Sequence, residues 1–501
     1  MKRSFIYIWL VGLMFASCDL NINDDPNYPS NSSITPDLEF PAVQNYIAAT
    51  SCDIMFNYAG FFAQYFDQMP EANQFNELAE LSISESSSTI DRAYRNLYTG
   101  ALQDIEDIKS KTTNTADLFA ATVMRAFCFQ LMVDNTSDAP YSDALNGNAQ
   151  PVWDDGKTIY EGVLAELDAA EEALDNSSSD AMTMTDMIFD QDIDQWKGYA
   201  NALRLRMYLR MYDADNSVQS KITALVNDNN FFTGDVKLDI YANEEGNRSP
   251  FYASYYELGT GNHVAAYPLV SYMNRTSDPR IEYAISKSTN DDKYVGQFCG
   301  AKVDLASWRK SEGSDWKNAD VSAINYSLFD GTGATRPAFL FTQAELQFLI
   351  AEVEYRFNND NAAAKTAYEA AIAADFSARG ISGADTFIAQ DIVNWDKVTD
   401  KLQLIGMQKW VALFYMDNME AWSEIRRTGY PELSSHNAKE IYEDPTIYTP
   451  GNLILNYRSS LDDQSSLMKR MYYPLKARQL NTNTPDASGY YGGTPVWWDV
   501  N

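Results

Sequence analysis

Helical periodicity constrains this chain more tightly than any other feature of its sequence. From Leu38 onward, apolar residues recur at three- and four-residue spacing, in segments of ordinary helix length joined by short loops. The pattern is clearest over 342–358 and 361–376. Thr342 and Glu345 supply a capping box at the start of the first helix, and Leu346, Leu349, Ile350, Val353 and Phe357 fall on one face. Asn358 to Asn361 forms the turn. The second helix presents Ala363, Ala367, Tyr368, Ala371 and Ile372, mostly small side chains that let two helices approach closely. A small-residue helix hairpin of about 34 residues is the signature of a tetratricopeptide-type unit. Degenerate pairs of the same kind are drawn at 89–109 with 116–133, 157–174 with 193–213, and 401–417 with 418–427. The expected fold class is all-α, a tetratricopeptide-like helical repeat scaffold. Residues 230–335 break the pattern, being rich in Gly, Asn, Ser, Asp and Tyr with few helical periods. They predict a loop-rich insertion, and a long irregular insertion in a helical scaffold is normally functional.

The first residues have a different character. Lys2 and Arg3 form a basic start, Phe5 to Phe15 an apolar run, and Phe15-Ala16-Ser17-Cys18 places small residues directly ahead of a cysteine. That is the layout of a secretory signal peptide over 1–17. Its apolar run is shorter than the roughly 20 residues that span a bilayer. A cysteine at the cleavage point is expected to carry lipid, so Cys18 is predicted to anchor the chain to a membrane by its acyl chains. Residues 18–37 read as a polar, proline-punctuated tether, and 38–501 as the helical body. No second long apolar stretch is read from the sequence.

Charge removes whole classes of partner. The net charge is −32, and loss of Lys2 and Arg3 with the leader takes it to −34. A body this acidic repels phosphate backbones, so nucleic acid is not an expected partner. Cys52, Cys128 and Cys299 are the cysteines beyond Cys18; their odd number leaves room for at most one disulfide, of unassigned pairing.

Catalytic signatures are sparse. The two histidines, His263 and His436, rule out histidine-rich metal sites, and His263 reads as structural or solvated rather than ligand-contacting. No nucleophile elbow, phosphate-cradling glycine loop, His-Glu-x-x-His or Cys-x-x-Cys occurs. Asp190, Asp192 and Asp194 suggest a calcium loop. However, Gln195 stands where the turn needs glycine and Asn201 where a bidentate glutamate belongs, so a helix start near Trp196 is the better reading. Paired carboxylates for glycoside hydrolysis remain a remote alternative, because their separation is a spatial fact. No metal, cofactor or catalytic residue is predicted. Aromatic residues carry more: there are 10 Trp, 32 Tyr and 24 Phe, and several lie inside the insertion. Flat aromatic faces beside amides and charges suit sugar rings, whose C–H face stacks while the hydroxyls hydrogen-bond. Tyr252, Tyr255, Tyr256, Asn262, Trp308 and Trp316 are therefore the candidate ligand-binding residues.

Several segments taken in order resemble one family, the SusD/RagB-type outer-membrane lipoproteins of Bacteroidetes. Asp138-Ala139-Pro140-Tyr141-Ser142-Asp143-Ala144 looks like its Gly-Asp-x-Pro-Tyr-Ser-acid-Ala motif, with Ser137 in place of the glycine. Trp196-Lys197 with Asn201-Ala202-Leu203-Arg204-Leu205-Arg206 is similar to its Trp-Lys…Asn-x-Leu-x-x-Arg helix, and Asp278-Pro279-Arg280 to its Asp-Pro-Arg turn. Thr342-Gln343-Ala344-Glu345 resembles the start of its central helix. Gln408-Lys409-Trp410, Glu420-Ala421-Trp422 and Arg426-Arg427-Thr428-Gly429-Tyr430-Pro431 together resemble its most recognisable stretch, and Pro495-Val496-Trp497-Trp498-Asp499 its ending. These motifs read as scaffold: Trp410 and Trp422 as core, Arg204 and Arg206 as partners of buried acids, Arg426 and Arg427 as the close of a helix stopped by Gly429 and Pro431. The resemblance implies four tetratricopeptide-like units with a less regular ligand-binding region. It also implies a non-enzymatic, lipid-anchored lid on the outer face of the outer membrane, closing over a TonB-dependent SusC-like transporter. The ligand it implies is an oligosaccharide or, in some members, a peptide.

Overall fold

The structure, a computed structural model, describes residues 34–177, 181–257, 259, 261–325, 333–461, 467–486 and 492–501. The leader, Cys18 and most of the tether lie outside the described residues. The first helix already starts at Pro36, where proline's fixed φ and missing N–H suit a first turn.

Helices dominate and occupy each of the predicted segments, but Thr115–Thr136 packs chiefly against Gly156–Asp175, across two of the predicted pairs rather than within one. α1 (Pro36–Ala49) runs through a π-helical turn (Thr50–Met55) into α2 (Phe56–Phe62). The 89–109 segment is Asp91–Arg95, a second π-helical turn (Asn96–Leu102) and α3 (Gln103–Lys111). α4 (Thr115–Thr136), α5 (Gly156–Asp175), α6 (Ile193–Tyr212) and α7 (Gln219–Asp228) follow. Two short helices, α8 (Tyr267–Arg275) and α9 (Lys302–Ser311), lie within 230–335. The hairpin α10 (Gln343–Arg356) with α11 (Asn361–Ala378) stands where it was expected, and α12 (Lys401–Leu413) and α13 (Asn418–Thr428) form another.

Sheet is minor. β1 (Phe66–Gln68) pairs antiparallel with β3 (His263–Ala265), placing Gln68 opposite His263. β2 (Val236–Leu238) pairs antiparallel with β4 (Ala338–Phe341) across an irregularity at Val236/Lys237. Both ladders join the 230–335 region to the helical body. That region is more regular than its composition predicts, because its helices are only 9 and 10 residues long, too short for periodicity to show.

A main apolar core extends from Phe40 to Trp498. Separate cores lie under the α10–α11 hairpin and beneath α9. α4 corrects the reading that no second long apolar stretch exists: it is long and apolar enough to cross a bilayer, yet 94% of its apolar window is buried within the body. Its N-cap, Asn114, accepts from the backbone N–H groups of Ala116 and Asp117.

Buried charge ties the helices to one another. Arg206 on α6 grips the Glu345 carboxylate of α10 with two hydrogen bonds, of 2.8 and 2.7 Å. The predicted capping box is therefore half-formed: Thr342 Oγ1 accepts from Glu345 N–H at 3.1 Å, while the Glu345 side chain serves Arg206. Arg210 reaches Asp134 of α4 at 2.5 Å and also pairs with Glu420 of α13. Arg427 closes α13 but does more than meet its dipole, binding Glu352 and Glu424. Gly429 then ends the helix at φ 71°, a conformation that favours glycine. Trp410 and Trp422 are buried core, as read from the sequence. Asp192 accepts from the N–H groups of Asp194 and Gln195, so the acidic run starts α6. The thiols of Cys52, Cys128 and Cys299 are buried and free, and no disulfide occurs among the described residues.

Candidate ligand cleft

Two π-helical turns meet through a side-chain hydrogen bond. The wider π turn of Thr50–Met55 carries Asp53, and a third π turn, Tyr252–Tyr256, carries Ser254 and Tyr255. Ser254 Oγ donates to Asp53 Oδ2 at 2.9 Å, and Arg92 donates to the same oxygen at 3.1 Å. Such turns are unusual and often mark functional ground. Between them and the 73–78 segment opens a cleft of about 480 Å³.

The lining is mostly amide, hydroxyl and ring, with Glu77 and Arg92 as its charged members, and it suits a hydroxyl-bearing ligand. Asn57, Asn73, Gln74 and Asn76 supply amides that both donate and accept; Ser88 and Thr89 add hydroxyls, and Tyr58, Phe75 and Tyr255 supply rings. Phe75 stacks on His263 with centroids 4.5 Å apart, and Tyr255 stands edge-on to Phe75 at 5.8 Å. His263 is buried, its Nε2 2.7 Å from Asn57 Oδ1, and burial pushes its pKa down to about 3, so it stays neutral. Burial pushes Asp53 the other way, up to about 6, against the opposing pull of Arg92 and the Ser254 hydroxyl. The Arg92 side chain, half exposed at 50%, is the cation on the cleft wall.

The six residues singled out in the sequence divide. Tyr255 lines the cleft. Tyr252 and Tyr256 share its π turn, their rings 5.0 Å apart, with Tyr256 exposed. Asn262 stands at the edge, donating from Nδ2 to Gln74 Oε1 at 3.0 Å, while its carbonyl accepts from Met69 N–H. Trp308 and Trp316 lie elsewhere. Trp308 is on α9, a helix rather than a loop, with its ring 5.3 Å from Tyr442 and 5.2 Å from Tyr457. Trp316 is only 8% exposed, and its Nε1–H donates to Gln297 Oε1 at 2.9 Å. Gln297 in turn donates to the Gln68 carbonyl at 2.6 Å, and Gln68 Oε1 accepts from Phe75 N–H. Trp316 thus stands behind the cleft wall, at the end of a hydrogen-bond chain that positions Phe75.

Sequence reasoning missed the other wall. Phe75, Gln74, Asn73 and Arg92 precede the insertion, yet the Pro70–Asn76 and Ser82–Thr89 stretches share its Asn, Gln and Ser richness. That composition was the available signal. The β1–β3 ladder brings the two regions together.

A family model described as "Starch-binding associating with outer membrane" (SusD-like) matches residues 33–448. The chain belongs to the SusD-like family. Solved SusD-like structures agree in fold. A SusD homolog from Bacteroides uniformis shares 21% identity and a TM-score of 0.70, over 93% of this chain and all of that one. A chitin-binding SusD homolog from Flavobacterium johnsoniae has the same identity and TM-score, over 93% of this chain and 99% of that one. A SusD homolog from Bacteroides vulgatus gives 20% and 0.68, over 96% of each chain. No curated protein matches the chain. Membership fits the structure, since the family-like segments are the ones that hold the scaffold: Arg206, Glu420 and Arg427 in buried pairs, Trp410 and Trp422 in the core.

Proposed function

We propose that this SusD-like chain binds an oligosaccharide in the cleft between the two π turns and catalyses no reaction on it. The observation that carries the reading is the lining itself: Phe75 and Tyr255 set at an angle among amides and hydroxyls, with one carboxylate, Glu77, and one cation, Arg92. Rings supply faces for sugar C–H groups, and amides match hydroxyls that donate and accept at once. The family's starch-binding description and the chitin-binding relative support a glycan ligand. In this reading Cys18 carries lipid and holds the chain on the outer face of the outer membrane. The body closes as a lid over a TonB-dependent SusC-like transporter and hands the glycan on.

Two experiments test it. On a glycan array, the body lacking residues 1–18 should retain at least one oligosaccharide class. Retention of peptides alone would overturn the glycan reading, and new reducing ends from incubated glycan would overturn the non-catalytic one. Expressed with its leader beside a candidate transporter, the chain should co-purify with that barrel and partition into detergent through Cys18. Labelled fatty acid incorporated equally by the parent and by Cys18→Ala would contradict the anchor.

A further inference from the structure

A second cavity, of about 280 Å³, opens in the helical scaffold among α10, α12 and α13, in a different part of the fold from the cleft. Its floor is charged and buried. Lys409 Nζ donates to Glu424 Oε2 at 2.8 Å, and Arg427 is forked between Glu424 and Glu352. Each of these four side chains is more than nine-tenths buried. Leu402, Ile405 and the Trp410 ring form an apolar wall, with the Trp410 Nε1–H already spent on the Ala63 carbonyl. Tyr430 leans over the opening, and Gly406 makes room for it: a β-carbon there would lie 2.6 Å from Tyr430 Cβ.

Lys409 brings more donors to this floor than its ion pair uses. An ammonium has three donors, and among the described residues Lys409 Nζ has one acceptor, Glu424. The remaining N–H groups of this buried ammonium can therefore be met by an oxygen in the cavity, from water or from a ligand hydroxyl that displaces it. Charge limits what brings that oxygen. Two cations face two carboxylates on the floor, and at the rim Arg356 is matched by Asp213. With the lining balanced, an anion meets the carboxylates and a cation meets Lys409 and Arg427. A hydroxyl serves both signs, accepting from the ammonium and donating to a carboxylate. An apolar wall opposite calls for a C–H face on the same ligand. The size is that of a single ring, at the small end of the roughly 300–1,000 Å³ of ligand pockets.

We infer that this cavity is a second binding site, for one neutral, hydroxyl-rich ring of the size of a sugar unit, held between Lys409 and the Leu402–Trp410 wall. It does not depend on the cleft reading. The test is saturation-transfer NMR on the full body with D-glucose, D-galactose and N-acetyl-D-glucosamine as separate probes, and glycine as a zwitterionic comparison. Leu402→Trp fills the opening without touching the charged floor, and Tyr255→Ala disables the cleft. At least one sugar should give transfer that persists in Tyr255→Ala and falls about tenfold in Leu402→Trp, a loss of about 1.4 kcal/mol. Lys409→Met, which keeps the stem and removes the donors, should match that fall while its circular dichroism stays that of the parent. The site is refuted by absence of transfer from every sugar, by transfer unaffected by Leu402→Trp, by transfer lost in Tyr255→Ala, or by glycine binding in preference.

Discussion

His263 carries a testable consequence at the scale of one residue. Its ring is enclosed by Phe61, Phe66, Phe75 and Phe251, and burial holds its pKa near 3 against an ordinary value of 6.5. A histidine with a depressed folded pKa binds fewer protons folded than unfolded. It therefore contributes stability that is complete above about pH 6.5 and is lost as the pH falls toward 3. His263→Phe should flatten that acid limb in denaturant melts taken across this window. At neutral pH it should cost about 1–3 kcal/mol, because the Asn57 amide oxygen loses its buried partner. An unchanged limb would show that other groups set it. Asp53 runs the opposite way, with its carboxyl raised to about 6, so folding favours its protonated form and its ionisation weakens the fold as pH rises through that value. Carbon NMR of that carboxyl should place its midpoint near 6. A midpoint at the ordinary 3.8 would mean that Arg92 overrides burial.

At the scale of elements, the body was legible and the cleft only half so. Helix pairs repeat a period that survives without alignment, and α10 with α11 appears almost as drawn. Tyr255, singled out as a tyrosine in polar surroundings, lines the candidate cleft. Trp308 and Trp316 share that appearance, but Trp316 packs behind the wall and Trp308 lies on α9 against Tyr442 and Tyr457, since composition does not say which face of a ring is covered. Phe75 faces Tyr255 only where the β1–β3 pairing joins residues nearly 200 positions apart, and Arg92 reaches the site through its bond to Asp53, neither of which local spacing shows. The insertion's attachment depends on Gly198 of α6, where a β-carbon would lie 2.3 Å from the backbone nitrogen of Phe232. Gly198→Ala should therefore force the 231–232 segment away and cost about 1–3 kcal/mol by overpacking. A melting temperature equal to the parent's would show that the segment yields freely. Asp192→Ala, removing the α6 cap, should cost about 0.5–2 kcal/mol in the same melts.

Across the whole molecule, buried arginines join helices far apart in sequence. Arg206 and Arg210 on α6 share Glu420 of α13, and reach on to Glu345 of α10 and Asp134 of α4. Asp134 also accepts from Tyr160 Oη and Trp498 Nε1. Arg210→Met would leave Asp134 and Glu420 buried without their shared cation, and should destabilise the body by about 3–5 kcal/mol. A loss below ~1 kcal/mol in urea unfolding would contradict the network's role. This scaffold holds the cleft's walls in register, and the account as a whole rests on that cleft. Isothermal titration of an array-selected oligosaccharide into the parent, Tyr255→Ala and the Trp308→Ala/Trp316→Ala pair tests it most directly. Tyr255→Ala should weaken binding about tenfold or more, by loss of ~1.4 kcal/mol or above of ring contact. The tryptophan pair should weaken it less, with Trp316 acting only through the wall. Equal affinity of parent and Tyr255→Ala would contradict the account.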